Sequence, residues 1–224
     1  MKKIQPKYKH AVIATDVVIF ALKDNELQVL LIKMKKTPYE NIWALPGGLV
    51  GSDETLERSA QRQLLLKTGV KNIYLEQLYT FGKVNRDPFG RVVSVSYFAL
   101  IANTNTQLKT TIEYDEVKWF PVSKISRLAY DHNEIIKYAL ERLKSKLEYT
   151  NIVYSLMPIE FTLTSLQSTY EIILGRKLDK RNFRKKILSL KLIKKTTRKT
   201  IGDVHRPASL YTFINKKLQM VEVL

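Results

Sequence analysis

The feature that most limits what this chain can become is a glycine-rich corner set just ahead of a short amphipathic helix. Pro46-Gly47-Gly48 follows two β-branched-rich runs, residues 11–22 and 27–33, separated by the turn Lys23-Asp24-Asn25-Glu26. The corner leads into a helix predicted from about residue 55 to 67. Leu56, Ala60, Leu64 and Leu65 form its apolar stripe, and Gly69 stops it. Further strands are predicted over 73–83, Val92–Ile101 and 116–121. A second amphipathic helix over 132–147 carries Ile135, Ile136, Ala139, Leu140 and Leu143 on one side. Strands interleaved with helices in this order make the first part of the chain an α/β module.

The rest of the chain has a different character. After Leu156-Met157-Pro158, Thr164 precedes Leu166, Tyr170, Ile173 and Leu174, the pattern of a capped helix ending at Gly175. Asp179 opens another helix over 179–191, with Phe183, Ile187 and Leu190 inward and Arg181, Arg184 and Lys185 outward. Residues 192–193 and 210–213 then pair as two strands around a basic loop, 194–207. Helix, turn, basic helix and basic hairpin describe an α+β winged helix-turn-helix.

Charge divides the chain at the same place. The formal net charge is +17 over 224 residues. Residues 1–150 carry 23 basic and 16 acidic side chains, net +7, and residues 151–224 carry 15 and 5, net +10. Per residue the second part is about three times as basic, which points to a polyanionic partner for that part alone. We therefore expect two modules with different partners, at 1–150 and 151–224, the second of them a DNA-binding module.

Several classes of chemistry drop out. With no cysteine there is no disulfide, thiolate metal site or Cys nucleophile. His10, His132 and His205 have no ligand spacing, so no metal is expected. The basic start followed by apolar residues resembles a signal peptide only superficially, because Asp16 interrupts it and no small-residue cleavage site follows. No apolar run nears the ~18 residues that span a bilayer. The expectation is a cytoplasmic protein without membrane contact.

The corner and first helix carry a recognisable pattern. Gly48, Glu54, Arg62, Leu64, Gly69 and Val70 fall at the spacing of the Nudix box, preceded by Trp43-Ala44-Leu45-Pro46-Gly47. The resemblance implies an α/β/α sandwich in which Glu54 and Arg62 brace the loop against its helix. Nudix hydrolases also place three glutamates where this chain has Gln63, Leu66 and Lys67. At spacings i, i+3 and i+4 those carboxylates share one helix face and hold Mg²⁺, a hard cation that takes anionic oxygen ligands. Here the same face offers an amide, an alkyl chain and an ammonium. The expectation is that hydrolysis is lost, ligand binding is kept, and the protein is not an enzyme.

A Nudix module without its glutamates, followed by a winged helix, resembles the Nudix-related transcriptional regulators over nearly the whole chain. Further stretches typical of that family are the run from Tyr74 to Gly82, the loop Arg86-Asp87-Pro88-Phe89-Gly90-Arg91, and Arg206-Pro207-Ala208-Ser209-Leu210-Tyr211 in the wing. Phe89 departs from the pattern, standing where many relatives carry arginine. The resemblance implies a homodimeric repressor of NAD biosynthesis genes. It would release double-stranded operator DNA when ADP-ribose or a related NAD-derived effector binds, without a cofactor. Arg86 and Arg91 are the candidates for the phosphates, since guanidinium forks onto phosphate oxygens. Trp43 or Phe81 is expected to stack on adenine, and Asp87 joins the ligand-binding candidates, its alternative role being to bridge Arg86 or cap the turn. For DNA the candidates are Arg181, Arg184 and Lys185 in the major groove, with Lys194, Lys195, Arg198, Lys199 and Arg206 from the wing on backbone or minor groove. The alternatives are a repressor responding to a sugar such as arabinose, or a working pyrophosphatase.

Overall fold

The computed structural model describes residues 10–70, 73–102, 108, 111, 114–200 and 207–224. Its first part is built on β1 (Val12–Lys23), a strand whose residues from Ala14 to Ala21 are all buried. β1 turns back into β2 (Glu26–Met34) through Asp24 and Asn25, both at positive φ (52° and 58°). Two left-handed residues in succession make the type I′ geometry that suits the twist of a hairpin. β3 (Trp43–Ala44) and β4 (Gly47–Leu49) follow, then helix α1 (Leu56–Thr68). β5 (Tyr74–Phe81), β6 (Val92–Ile101) and β7 (Tyr114–Pro121) complete the sheet before α2 (His132–Tyr149). The strand order is β3-β2-β1-β6-β5, with β4 paired to β1 and β7 to β2.

Alternation along β1 sorts the core into two layers. Val17, Ile19 and Ala21 pack with Ala60 and Leu64 of α1, whereas Val18 and Phe20 pack with Ile135, Ile136, Ala139 and Leu143 of α2. Both faces of the central strand are covered, which is why it reads as an almost unbroken apolar run. The result is the α/β/α sandwich expected from the corner and its helix.

The second part contains α3 (Leu163–Leu174), α4 (Lys180–Ser189) and a hairpin of β8 (Ile193–Lys199) and β9 (Ser209–Phe213). The helix cap is Thr162 rather than Thr164. Thr162 Oγ1 accepts the Ser165 N–H at 3.0 Å, and Ser165 Oγ accepts the Thr162 N–H at 3.1 Å. This reciprocal capping box starts the helix two residues early and places Thr164 in its first turn. β8 is also longer than residues 192–193, because Lys194 and Lys195 pair with Thr212 and Tyr211 instead of belonging to a loop.

After β9 the chain returns to the end of α2. Val221 and Val223 donate their N–H groups to the carbonyls of Tyr149 (2.9 Å) and Glu148 (2.7 Å). Asn151, fully buried, donates from Nδ2 to the Lys217 carbonyl (3.0 Å) and accepts the Gln219 N–H (2.7 Å). One apolar cluster runs without a break from Val18 and Phe98 through α2 to Leu166, Tyr170, Ile187 and Val223. No helix among the described residues is long and apolar enough to cross a membrane.

Candidate functional site

The loop between β4 and α1 is held by one ion pair. Arg62 Nε donates to Glu54 Oε2 at 2.8 Å, its Nη2 to Glu54 Oε1, and Glu54 Oε1 also accepts the Gly51 N–H at 2.7 Å. The Arg62 guanidinium, seconded by the Gly51 N–H, holds the Glu54 carboxyl down at about 2. Thr55 caps the helix through the Arg58 N–H, and Gly69 ends it at φ 77°. Close approach requires the first glycine of the corner: a Cβ on Gly47 would lie 2.0 Å from Asp16 Oδ1 and 2.6 Å from the Thr15 carbonyl, whereas one on Gly48 would meet the Gln63 side chain at 2.5 Å.

The three positions after Arg62 do not fit a divalent cation. Gln63 is buried with its amide against Gly48, and Leu66 is 52% exposed with no ligand atom. Lys67 Nζ donates to the Gly47 carbonyl and stands 4.8 Å from the centre of the Tyr114 ring. An ammonium thus sits on the helix face where a magnesium-binding carboxylate would stand, a donor set that repels Mg²⁺. Among the described residues no group of three or more His, Asp or Glu side chains is placed to hold a metal.

Next to this face is a cleft of about 430 Å³, within the usual range for small-molecule sites. Asp16, Arg86 and His132 form its polar side; Val12, Ala14, Leu49 and Val92 form apolar walls; Lys67, Tyr114, Phe89, Arg91 and Tyr130 complete the lining. Asp16 comes from the middle of β1, Asp131 and His132 from the start of α2, and Arg86 from the β5–β6 connection. Arg86 forks onto Asp131 (Nη2–Oδ1 2.7 Å, Nε–Oδ2 2.9 Å) and also reaches Asp16 Oδ2 at 3.2 Å. Ser94 Oγ donates to the same Asp16 oxygen at 2.6 Å. His132 Nδ1 accepts the Leu45 N–H at 2.9 Å, leaving the ring proton on Nε2, 3.6 Å from Asp16 Oδ1. Burial pushes the His132 pKa below its usual value, against the pull of Asp16, so the ring is neutral at pH 7.

This geometry revises several residue expectations. Arg86 lines the cleft, but its fork is closed on Asp131, so it braces the floor where a phosphate clamp was expected. Asp87 does not bridge Arg86: its Oδ1 accepts the Phe89 N–H at 2.8 Å and caps the turn. Arg91 lines the cleft and ties its loop together through the carbonyls of Gly82 (2.8 Å) and Lys83 (3.1 Å). Trp43 and Phe81 are not in the cleft. Trp43 packs on Phe120 with ring centres 4.5 Å apart, because strand alternation turns it away from the face that its neighbour Ala44 presents to the cleft. Phe81 is buried between Tyr79 and Tyr138 at the far edge of the sheet. The residues missed from the sequence are Asp16, Asp131, His132, Tyr114 and Tyr130. Asp16 left a signal, a carboxylate in an otherwise apolar strand, a placement that requires a buried partner.

In the second part, Arg181 and Lys185 of α4 and Lys194, Lys195, Arg198 and Lys199 of β8 are exposed. Arg184 is half-buried: Nη2 donates to Thr164 Oγ1 at 3.1 Å, and its buried Nε has no partner among the described residues. Its head is therefore held against α3, unlike that of Arg181. Arg198 pairs with Glu160 at 3.1 Å, fastening the wing to the segment before α3. Arg206 lies outside the described residues. The turn between the helices is held by Glu171, which accepts from the Leu178 N–H (3.0 Å), Gln167 and Lys177.

Comparison with known proteins bears on both parts. Residues 13–143 match the NUDIX domain, and residues 153–213 match the NrtR DNA-binding winged helix domain. An ADPR responsive transcriptional repressor, NtrR, of Acinetobacter baylyi is 39% identical over 210 residues, covering 92% of this chain and 83% of its own. Shewanella oneidensis NrtR in complex with a 27mer DNA aligns with a TM-score of 0.78 at 34% identity, covering 90% of this chain and 93% of that one. Its NUDIX domain in complex with ADP ribose aligns at 0.58 and 36% identity, covering 63% of this chain and 94% of that one. The ADP-ribose pyrophosphatase of Methanocaldococcus jannaschii is 34% identical over 130 residues, 58% of this chain and 73% of its own.

Proposed function

The chain belongs to the NrtR family, in which a NUDIX domain is joined to a DNA-binding winged helix, and from that we propose that it is a transcriptional repressor whose NUDIX cleft binds ADP-ribose or a close NAD-derived relative and thereby releases operator DNA. The observation that carries this reading is the state of the Nudix face. The Glu54–Arg62 brace is intact, while Gln63, Leu66 and Lys67 replace the metal-binding carboxylates. A pocket that keeps its frame and loses its metal holds a nucleoside diphosphate without cleaving it. Lys67 supplies fixed positive charge near the diphosphate, so binding needs no magnesium. We assign residues 1–150 to sensing and 151–224 to DNA binding, and the regulated genes to NAD biosynthesis.

On DNA, α4 enters the major groove with Arg181 and Lys185 foremost, and Lys194, Lys195 and Lys199 meet the backbone. The protein acts in the cytoplasm as a homodimer, matching a two-fold operator. Release requires the effector to favour a state that binds DNA less well, and a coupling of ~1–3 kcal/mol changes operator affinity about 5–150-fold. Helix α2 is the route. His132 at its start lines the cleft and Asp131 beside it holds the cleft's Arg86, and Glu148 and Tyr149 at its end hold the C-terminal segment that follows the wing. Lys67 and Arg91, the other cationic groups lining the cleft, suit a phosphorylated ligand better than a neutral pentose.

The test is fluorescence anisotropy on a duplex from the promoter of the protein's own operon, titrated with ADP-ribose, with arabinose as control. Loss of binding with ADP-ribose alone is expected, together with no Mg²⁺-dependent release of AMP. Unchanged operator affinity at saturating ADP-ribose, or rapid hydrolysis, refutes the reading.

A further inference from the structure

A second cleft, of about 550 Å³, adjoins the first and shares Met34, Phe89 and Tyr130 with it. The first contains the Asp16–Arg86 pair and Lys67. The second also carries Lys35, Lys36 and Glu40, with Lys35 paired to Asp115 at 3.5 Å, and aromatic faces dominate the junction between the two. The Tyr39 and Tyr130 rings lie 4.4 Å apart, and Tyr130 is 5.1 Å from His132 on the floor of the first cleft. Phe89 stands on the rim of both and is 72% exposed. Its position is built: the Asp87 carboxylate fixes its N–H at 2.8 Å, and Gly90 beside it turns at φ 152° with open space where a Cβ would stand.

A dinucleotide-like ligand has two unlike halves. Its diphosphate needs fixed cations, and its base needs flat apolar faces, which stack on aromatic rings. The junction supplies the flat faces, and Lys67 and Arg91 of the first cleft supply the cations. We propose that the adenine base of the effector occupies the second cleft, stacked on Phe89 with Tyr39 and Tyr130 as the opposite wall, while the phosphorylated ribose occupies the first. This assignment rests on the effector class proposed above and gives Phe89 the base-stacking role that Trp43 and Phe81 are too far from the cleft to fill.

Calorimetric titration of full-length wild type, Phe89→Ala and Phe89→Tyr with ADP-ribose and with ribose 5-phosphate tests it. Phe89 is exposed and packs on little, so the variants keep the fold. Stacking on one ring predicts that Phe89→Ala weakens ADP-ribose binding about 5- to 150-fold. Ribose 5-phosphate affinity stays within about two-fold, and Phe89→Tyr binds ADP-ribose as wild type does. Undiminished ADP-ribose binding by Phe89→Ala overturns the subsite and leaves the effector class standing. An equal loss for both ligands overturns it too, since Phe89 then shapes the loop instead of contacting a base. Wild type that binds no ADP-ribose removes the effector class and the subsite together.

Discussion

Replacing Arg86 with methionine removes a guanidinium whose side chain is only 3% exposed and strands two buried carboxylates, Asp131 and Asp16. Three hydrogen bonds at 2.7, 2.9 and 3.2 Å vanish at once. Breaking a buried pair by deleting one partner costs about 3–5 kcal/mol, mostly because the charge left behind has no counterpart. For a chain of this size each kcal/mol lowers Tm by roughly 2–4 °C, so Arg86→Met should melt roughly 6–20 °C below wild type at pH 7. Adding Asp131→Asn to Arg86→Met removes one stranded charge and should recover part of the loss. Thermal unfolding followed by circular dichroism, without DNA or effector, measures both variants. A Tm within about 2 °C of wild type, combined with abolished ADP-ribose binding, would refute the brace and return Arg86 to the role of phosphate ligand.

Further outcomes follow from the rest of the structure. Restoring the acidic face with Gln63→Glu, Leu66→Glu and Lys67→Glu should make ADP-ribose binding respond to Mg²⁺, whereas wild type should bind equally well in EDTA; a wild type that needs Mg²⁺ contradicts the reading of Lys67. Glu54 should titrate near 2 by NMR and return toward 4.5 in Arg62→Ala. Because its folded value is depressed, its contribution to stability is complete above about 4.5 and fades as pH falls toward 2, so an ordinary titration midpoint in wild type would rule out the brace. Thr150 and Met220 face each other across an antiparallel bridge, as a non-hydrogen-bonded pair whose Cα atoms lie about 4.5 Å apart, within disulfide reach. In a chain without other cysteines, Thr150→Cys with Met220→Cys should lose the ADP-ribose effect on operator affinity when oxidised and regain it on reduction; equal responses would dismiss the C-terminal segment as part of the route. Lys194→Ala with Lys195→Ala should lower the slope of log affinity against log salt by about 0.9 for each phosphate that is no longer neutralised, and an unchanged slope would take the wing off the DNA.

The local rules of the chain were readable in the sequence because they act over a few residues. Gly69 ended α1, Asp24-Asn25 made the hairpin turn, and the periodicities of residues 132–147 and 179–191 became α2 and α4. The spacing from Gly48 to Val70 announced both the Nudix frame and the loss of its carboxylates, since helix geometry alone puts positions 63, 66 and 67 on one face. The density of lysine and arginine after residue 150 marked the DNA-facing part without any coordinates.

What the sequence withheld was every pairing between distant positions. Arg86 reads as a free phosphate ligand until folding brings Asp131, 45 residues away, and Asp16, 70 residues away, into its fork. Strand parity states that Trp43 and Ala44 point to opposite faces but not which face meets the cleft; only the packing of β3 beside β2 and against Phe120 decides it. The same holds for His132, an unremarkable helix-start residue until burial beside Asp16 makes it a neutral member of the floor. Local propensity and charge are properties of neighbours along the chain, whereas a cleft belongs to segments that become neighbours only when the sheet closes.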